Sequence, residues 1–208
     1  MAKFNSTTFG TISGRHGSAV ATTSKDGQSI LRVYKAPSNP KTEAQVAHRA
    51  KFALVNSELS RMSKLFATSF GGSKGTQLAA SLAMRNAVTG SYPDFVLDYS
   101  KLTISMGSLQ PAQQSAAVLT GATTVKVEWD TPDDAFQGSP QDNVQLVFMN
   151  PVTKVGVLKE AAAIRSAGSV EVELPSVWTG AAIHCWIYFT ASDGSQTSTS
   201  QYVSLIQL

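Results

Sequence analysis

Three histidines and one cysteine are the residues of this 208-residue chain best suited to nucleophilic or metal chemistry, and their spacing argues against both. His16, His48 and His184 fall in three separate segments, with no two at metal-ligand spacing. His184 and Cys185 are adjacent in a β-favouring run, where successive side chains point to opposite faces. Within that strand they form neither a thiolate–imidazole pair nor a joint metal site. Cys185, beside Ile183, Ile187 and Phe189, reads as core filler. Asp130, Asp133, Asp134 and Asp142 gather loosely around a proline-containing turn. Oxygen-rich loops hold calcium, but EF-hand spacing is missing, so solvated turn carboxylates are expected. Gly71-Gly72-Ser73-Lys74-Gly75-Thr76 has the composition of a phosphate loop without its order, and it follows a helix rather than a strand. It reads as an interhelix linker. With no paired acid and base and no activated nucleophile, the expectation is a protein that is not an enzyme, with no catalytic residue, cofactor or metal.

Charge is the sharper signal. Only 15% of residues are charged, below the usual quarter of a soluble domain, while Ser and Thr supply 45 positions. The net +3 conceals an asymmetry. Residues 1–105 carry 13 Lys and Arg against 5 Asp and Glu, net +8; residues 106–208 carry 4 against 9, net −5. Arg15, Lys25, Arg32, Lys35, Lys41, Arg49, Lys51, Arg61 and Lys64 crowd into fifty residues. Such a surface neutralises phosphates in a salt-dependent, sequence-blind way, or balances an acidic neighbouring subunit. Against a nucleic-acid reader stand a moderate pI near 9.0 and few stacking aromatics, since Tyr34 alone lies between Phe9 and Phe52.

The elements that must position these residues follow from pattern. Residues 1–17 are a polar arm punctuated by Gly10, Gly14 and Gly17, too poor in apolar area to fold alone. Ser18–Thr23 and Ser29–Tyr34 flank Lys25-Asp26-Gly27-Gln28, and Asp-Gly between β-favouring runs predicts a hairpin. Ile30, Arg32 and Tyr34 share one face of its second strand, and Leu31 and Val33 the other. Pro37 and Pro40 make a loop. Thr42 then opens a helix as N-cap, with Gln45 completing a capping box and Glu43 suiting the positive end of the dipole. Phe52, Val55, Leu59, Met62, Phe66 and Phe70 recur on one face of it, opposite Arg49, Arg61 and Lys64, and Gly71-Gly72 stops it. Thr76–Val88 reads as a second helix with Leu78, Leu82 and Met84 inward, ended by Gly90 and Pro93.

From about Lys101 the period changes from 3.6 to 2. Leu102–Ser105, Val125–Trp129, Val144–Met149, Val155–Leu158, Val170–Leu174, Ile183–Thr190 and Gln201–Ile206 make seven short strands, the signature of a β-sandwich. In the sixth, Ile183, Cys185, Ile187 and Phe189 occupy one face while Trp186 and Tyr188 join His184 on the other. A strand with one wet face alternates apolar and polar. Either the helices cover the His184–Trp186–Tyr188 face, or it is a contact surface for another chain. The fold class expected is α+β: residues 1–100 an arm, hairpin and two-helix module, residues 101–208 an immunoglobulin/fibronectin III-like sandwich.

Val127-Glu128-Trp129-Asp130-Thr131-Pro132 is similar to the early tryptophan strand of fibronectin type III domains, and Leu174-Pro175 with Ile183–Thr190 and Asp193-Gly194-Ser195 resembles their later strands and turn. A second resemblance spans nearly the whole chain. Gly10-Thr11-Ile12-Ser13-Gly14-Arg15-His16-Gly17, then Lys25-Asp26-Gly27 and Arg32, lead into Thr42-Glu43-Ala44-Gln45-Val46-Ala47-His48-Arg49-Ala50-Lys51-Phe52. Asn86-Ala87, Tyr92-Pro93 and Leu102–Gly107 follow. This order resembles an uncharacterised family of Bacteroidota proteins, domain-of-unknown-function family 6266. The Thr-x-x-Gln-x-x-x-Arg-x-x-Phe run is its most specific element, and the chain departs from the pattern with His16 where a basic residue follows Arg15. The resemblance implies architecture and phylum but no activity.

Two functions fit. One is a structural or assembly protein that self-associates, or binds another protein, through its N-terminal module while displaying a sandwich. The other is a nucleic-acid-associated protein using the basic residues named above. No apolar stretch approaches the ~20 residues that cross a bilayer, and the first ten residues lack the apolar core of a secretory signal. The expected location is the cytoplasm or a larger assembly, with no membrane association.

Overall fold

The turn at Asp26-Gly27 folds the N-terminal segment back on itself. Ser24 N donates to Gln28 O at 2.8 Å and Gly27 N to Ser24 O at 3.0 Å, with Gly27 at φ +75°, where a glycine costs little. The computed structural model describes residues 13–70, 74–130 and 137–208, with the backbone of Ala2–Phe4. Strands β3 (Ala19–Thr23) and β4 (Ser29–Val33) form the expected hairpin. The arm, too poor in apolar area to fold alone, adds to that hairpin: β1 (Ala2–Phe4) pairs with β4 and β2 (Gly14–His16) with β3, giving an antiparallel sheet ordered β1-β4-β3-β2. Backbone pairing needs no apolar side chains, so a polar arm can add strands that its composition does not announce. Gly10 lies outside the described residues.

The chain divides into the units Met1–Thr42 and Glu43–Leu208, not near residue 100. The physical reason is a shared core. Helix α1 (Glu43–Leu59), a 3₁₀ turn at Ser60–Met62, α2 (Ser63–Ser69) and α3 (Gly75–Asn86) lie over one face of the sandwich, so they cannot form a module apart from it. The helix expected to run unbroken to Phe70 is thus interrupted at Ser60. Its stop signal, Gly71-Gly72, lies outside the described residues.

A short pair β5 (Val88–Thr89) and β6 (Val96–Leu97) leads into the sandwich. One sheet is ordered β11 (Ser169–Glu173), β8 (Thr124–Asp130), β7 (Gln113–Leu119). The other is ordered β10 (Val155–Ile164), β9 (Asn143–Asn150), β12 (Ala182–Thr190), β13 (Gln201–Gln207). All pairings are antiparallel, giving the expected fibronectin III/immunoglobulin-like sandwich within an α+β chain. One expected strand is replaced by another. Leu102–Ser105 is extended but joins no ladder; serine hydroxyls hold it instead. Ser69 Oγ donates to Ile104 O at 2.6 Å, Ile104 N donates to Ser200 Oγ at 2.9 Å, and Ser105 Oγ donates to Ser198 O at 2.8 Å. The strand missed was β7, an edge strand whose side chains are mostly exposed and so lack an apolar alternation.

Strands β9 and β12 are buried on both faces. Val144, Leu146, Phe148, Ile183, Cys185, Ile187 and Phe189 meet Val125, Val127, Trp129 and Val172 between the sheets. On the other side Val147, Met149, Trp186 and Tyr188 meet Val55, Leu59, Met62 and Phe66. That is why Val144–Met149 reads as a nearly continuous apolar run.

Candidate functional site

The face carrying His184, Trp186 and Tyr188 is interior, not an open interface. Trp186 and Tyr188 are buried beneath the helices, a covering the sequence left open as one of two alternatives. His184 is half-buried, stacked 4.7 Å from the Tyr99 ring, with Nδ1 3.0 Å from the Tyr202 hydroxyl. Burial lowers its pKa from the ordinary imidazole value of 6.5, with Asp98 opposing the shift. Cys185 points into the inter-sheet core, where burial pushes its thiol well above the ordinary range. A thiol held protonated there is a poor nucleophile.

Two carboxylates have structural partners. Asp142, expected to be a solvated turn residue, is 2% exposed and pairs through Oδ2 with buried Arg165 at 3.1 Å; the same oxygen accepts from Ser139 N at 2.9 Å. Arg165 lies 3.8 Å over the Phe189 ring, and its carbonyl accepts from Trp129 Nε1 at 2.8 Å. These bonds pin one end of the sandwich. Glu58 on α1 accepts from Tyr99 Oη and from Lys154 Nζ, both at 2.7 Å, tying the helix to the β9–β10 turn. Asp133 and Asp134 lie outside the described residues, as do residues 71–73 of the glycine-rich linker. Among the described residues, no three His, Cys, Asp or Glu side chains gather as a metal site would require.

The basic residues divide between the two units. In the first, the Arg15 guanidinium sits 3.9 Å over the Tyr34 ring and its Nε donates to Gly17 O at 3.1 Å. Lys25 occupies the hairpin turn, Arg32 is exposed on β4, and Lys35 and Lys41 are exposed beyond it. In the second, Arg49 and Lys51 lie on α1, Lys64 is exposed on α2, and Arg61 donates from Nη1 to Thr153 O at 2.9 Å.

One concave feature was not read from the sequence. A groove of about 520 Å³ runs between α1 and α3, with Phe52, Ala80 and Met84 on its apolar side and His48, Lys51 and Arg85 as its basic groups. It exists because two helical stripes are not where periodicity put them. Phe52, expected inward, is 50% exposed, and α3 turns Gly75, Ala79, Ala80 and Ala83 inward rather than Leu78. Small residues let α3 approach α2 so closely that a Cβ at Gly75 would meet the Phe66 carbonyl. The larger side chains are then left on the outer side. A signal was available, since Gly75, Ala79, Ala80 and Ala83 share a face at helical spacing, but an apolar-periodicity reading ranks Leu above Ala.

Two further surfaces stand out. In the first unit Leu31 and Val33 share one face of β4, and Val33 is 81% exposed. At the edge of the three-stranded sheet, Glu171 and Glu173 project from β11, and Val177, in the 3₁₀ turn that follows, is 85% exposed.

A search of curated proteins finds no match. Among solved structures, the chain is similar to the fn3 domain of human collagen alpha-1(XX) chain at 16% identity, covering 48% of this chain and 85% of that one with a TM-score of 0.36. It is also similar to an fn3 domain of human contactin 1 at 7% identity, covering 58% and 89%, TM-score 0.33. A family model matches residues 11–204, nearly the whole chain including the Thr42–Phe52 run, and the protein therefore belongs to the family of unknown function DUF6266.

Proposed function

We propose that this protein is a non-enzymatic structural or assembly protein that associates through its N-terminal module and displays a β-sandwich. One observation carries the reading. The N-terminal sheet belongs to a unit of only 42 residues, and among its described residues only Ala21 and Ser29 are buried. Sheets need a covered hydrophobic face for independent stability, and chains below ~40 residues rarely supply one. Leu31 and Val33, opposite Ala21 and Ala19 on the neighbouring strand, offer such a face to another protein chain. Pairing of Asp142 with Arg165 and of Glu58 with Lys154, and the buried thiol of Cys185, support the non-enzymatic part, because these groups are engaged in holding the fold.

Sedimentation of the whole chain across concentration, with a duplex DNA titration against salt, tests it. Oligomers indifferent to DNA are expected, and Leu31→Asp with Val33→Asp weakens them. A monomer that binds duplex with a steep salt slope overturns the reading in favour of nucleic-acid association. Removing residues 1–17 is the poorer test, since it deletes two strands of the sheet and not a free arm.

A further inference from the structure

We propose that the ridge made by β11 and the turn after it docks in the α1/α3 groove of a second copy of this chain. The proposal rests on the assembly reading and adds a contact within residues 43–208 that the reading does not require. The groove, at about 520 Å³, falls in the range of ~300–1,000 Å³ typical of occupied clefts. Its lining carries His48, Lys51 and Arg85 and no carboxylate, so its occupant is anionic. Its Phe52 and Met84 also call for an apolar group. The same chain presents both requirements together. Glu171 and Glu173, two apart on one strand, project from the same face of the sheet, and Val177 follows at 85% exposure. β11 lies at the edge of its sheet, with no strand beyond it in that sheet.

Charge also selects the geometry. Groove on groove brings cations together and ridge on ridge brings carboxylates together, so a two-fold contact through either surface is repulsive. The helices lie over one sheet while β11 edges the other, so ridge and groove sit in opposite layers and their contact is heterologous, repeating head to tail into rings or filaments. The +8 and −5 of the two chain halves then serve partly as complementary surfaces on neighbouring copies.

The test uses the whole chain with two pairs of reversals at non-buried positions: Lys51→Glu with Arg85→Glu in the groove, and Glu171→Lys with Glu173→Lys on the ridge. In sedimentation, each pair alone weakens association at least about tenfold relative to the unaltered chain. An equimolar mixture of the two variants regains association, because the ridge of each then meets a groove of opposite charge on the other. The chain carrying all four reversals regains association. Circular dichroism of each variant confirms the fold. Oligomers of the unaltered chain that neither pair affects overturn the ridge–groove contact and leave the assembly reading intact. A mixture that associates no better than either variant alone also overturns the contact. A chain that is monomeric at every concentration in low salt overturns both.

Discussion

Burial sets the chemistry of His184 and makes it a reporter. Tyr99, Trp186 and Tyr202 surround the ring, and desolvation lowers its pKa in the folded state, against the opposing charge of Asp98. Below about pH 6.5 the unfolded chain therefore binds a proton at this position more readily than the folded one. The associated stability is intact above the ordinary imidazole value and is lost as pH falls through it toward the folded value. Denaturant unfolding between pH 5 and 7.5 should show the unaltered chain losing stability relative to His184→Gln as pH drops. Parallel profiles would mean the imidazole is not desolvated. The residue's type and its strand parity were legible from sequence. Its environment was not, because Tyr99 is brought to it from a segment 85 residues away.

Helix α3 shows how element identity and element orientation are separate problems. Pattern predicts its extent to within two residues and Met84 packs against the core as expected, but Leu78 is 39% exposed and Ala79, Ala80 and Ala83 fill the core-facing side. Periodicity marks a helix and ranks its faces by hydrophobicity, whereas packing chooses the face whose volume fits the gap. Gly75→Ala tests this. The added Cβ would meet the Phe66 carbonyl, forcing the helices apart, and overpacking of this kind costs roughly 1–3 kcal/mol. The alanine also has the better helix propensity, so a variant as stable as the unaltered chain in urea would show that α2 and α3 do not approach this closely. The hairpin is the opposite case. Asp26-Gly27 encodes its turn locally, so β3 and β4 were both legible. Strand β7 was not, since an exposed edge strand is defined by its partner's backbone and not by its own side chains.

At the scale of the molecule, the change of period near Lys101 precedes the sandwich, whose first strand opens at Gln113, but does not mark where the chain divides. A chain of residues 43–208 retains both cores, and cooperative unfolding is expected of it. A chain of residues 101–208 loses the helices and exposes Val147, Met149, Trp186 and Tyr188, which should leave it aggregated or without fixed tertiary signals by near-ultraviolet circular dichroism. If 101–208 folds as well as 43–208, the helical layer is dispensable and the shared core is not the reason for the boundary. The abundance of Ser and Thr also acquires a role at this scale. Ser69, Ser105, Ser198 and Ser200 bond buried backbone groups where Leu102–Ser105 crosses outside any ladder.

By itself the sequence determined what is encoded locally or by period: the hairpin turn, the existence of the helices, the β-sandwich and the charge asymmetry. Tertiary structure alone decided which apolar faces are covered, because that depends on complementary volume between elements distant in the chain. It turned the open His184–Trp186–Tyr188 face into a core, moved the boundary to Thr42, and left Phe52 and Val177 outside, where a second chain can meet them.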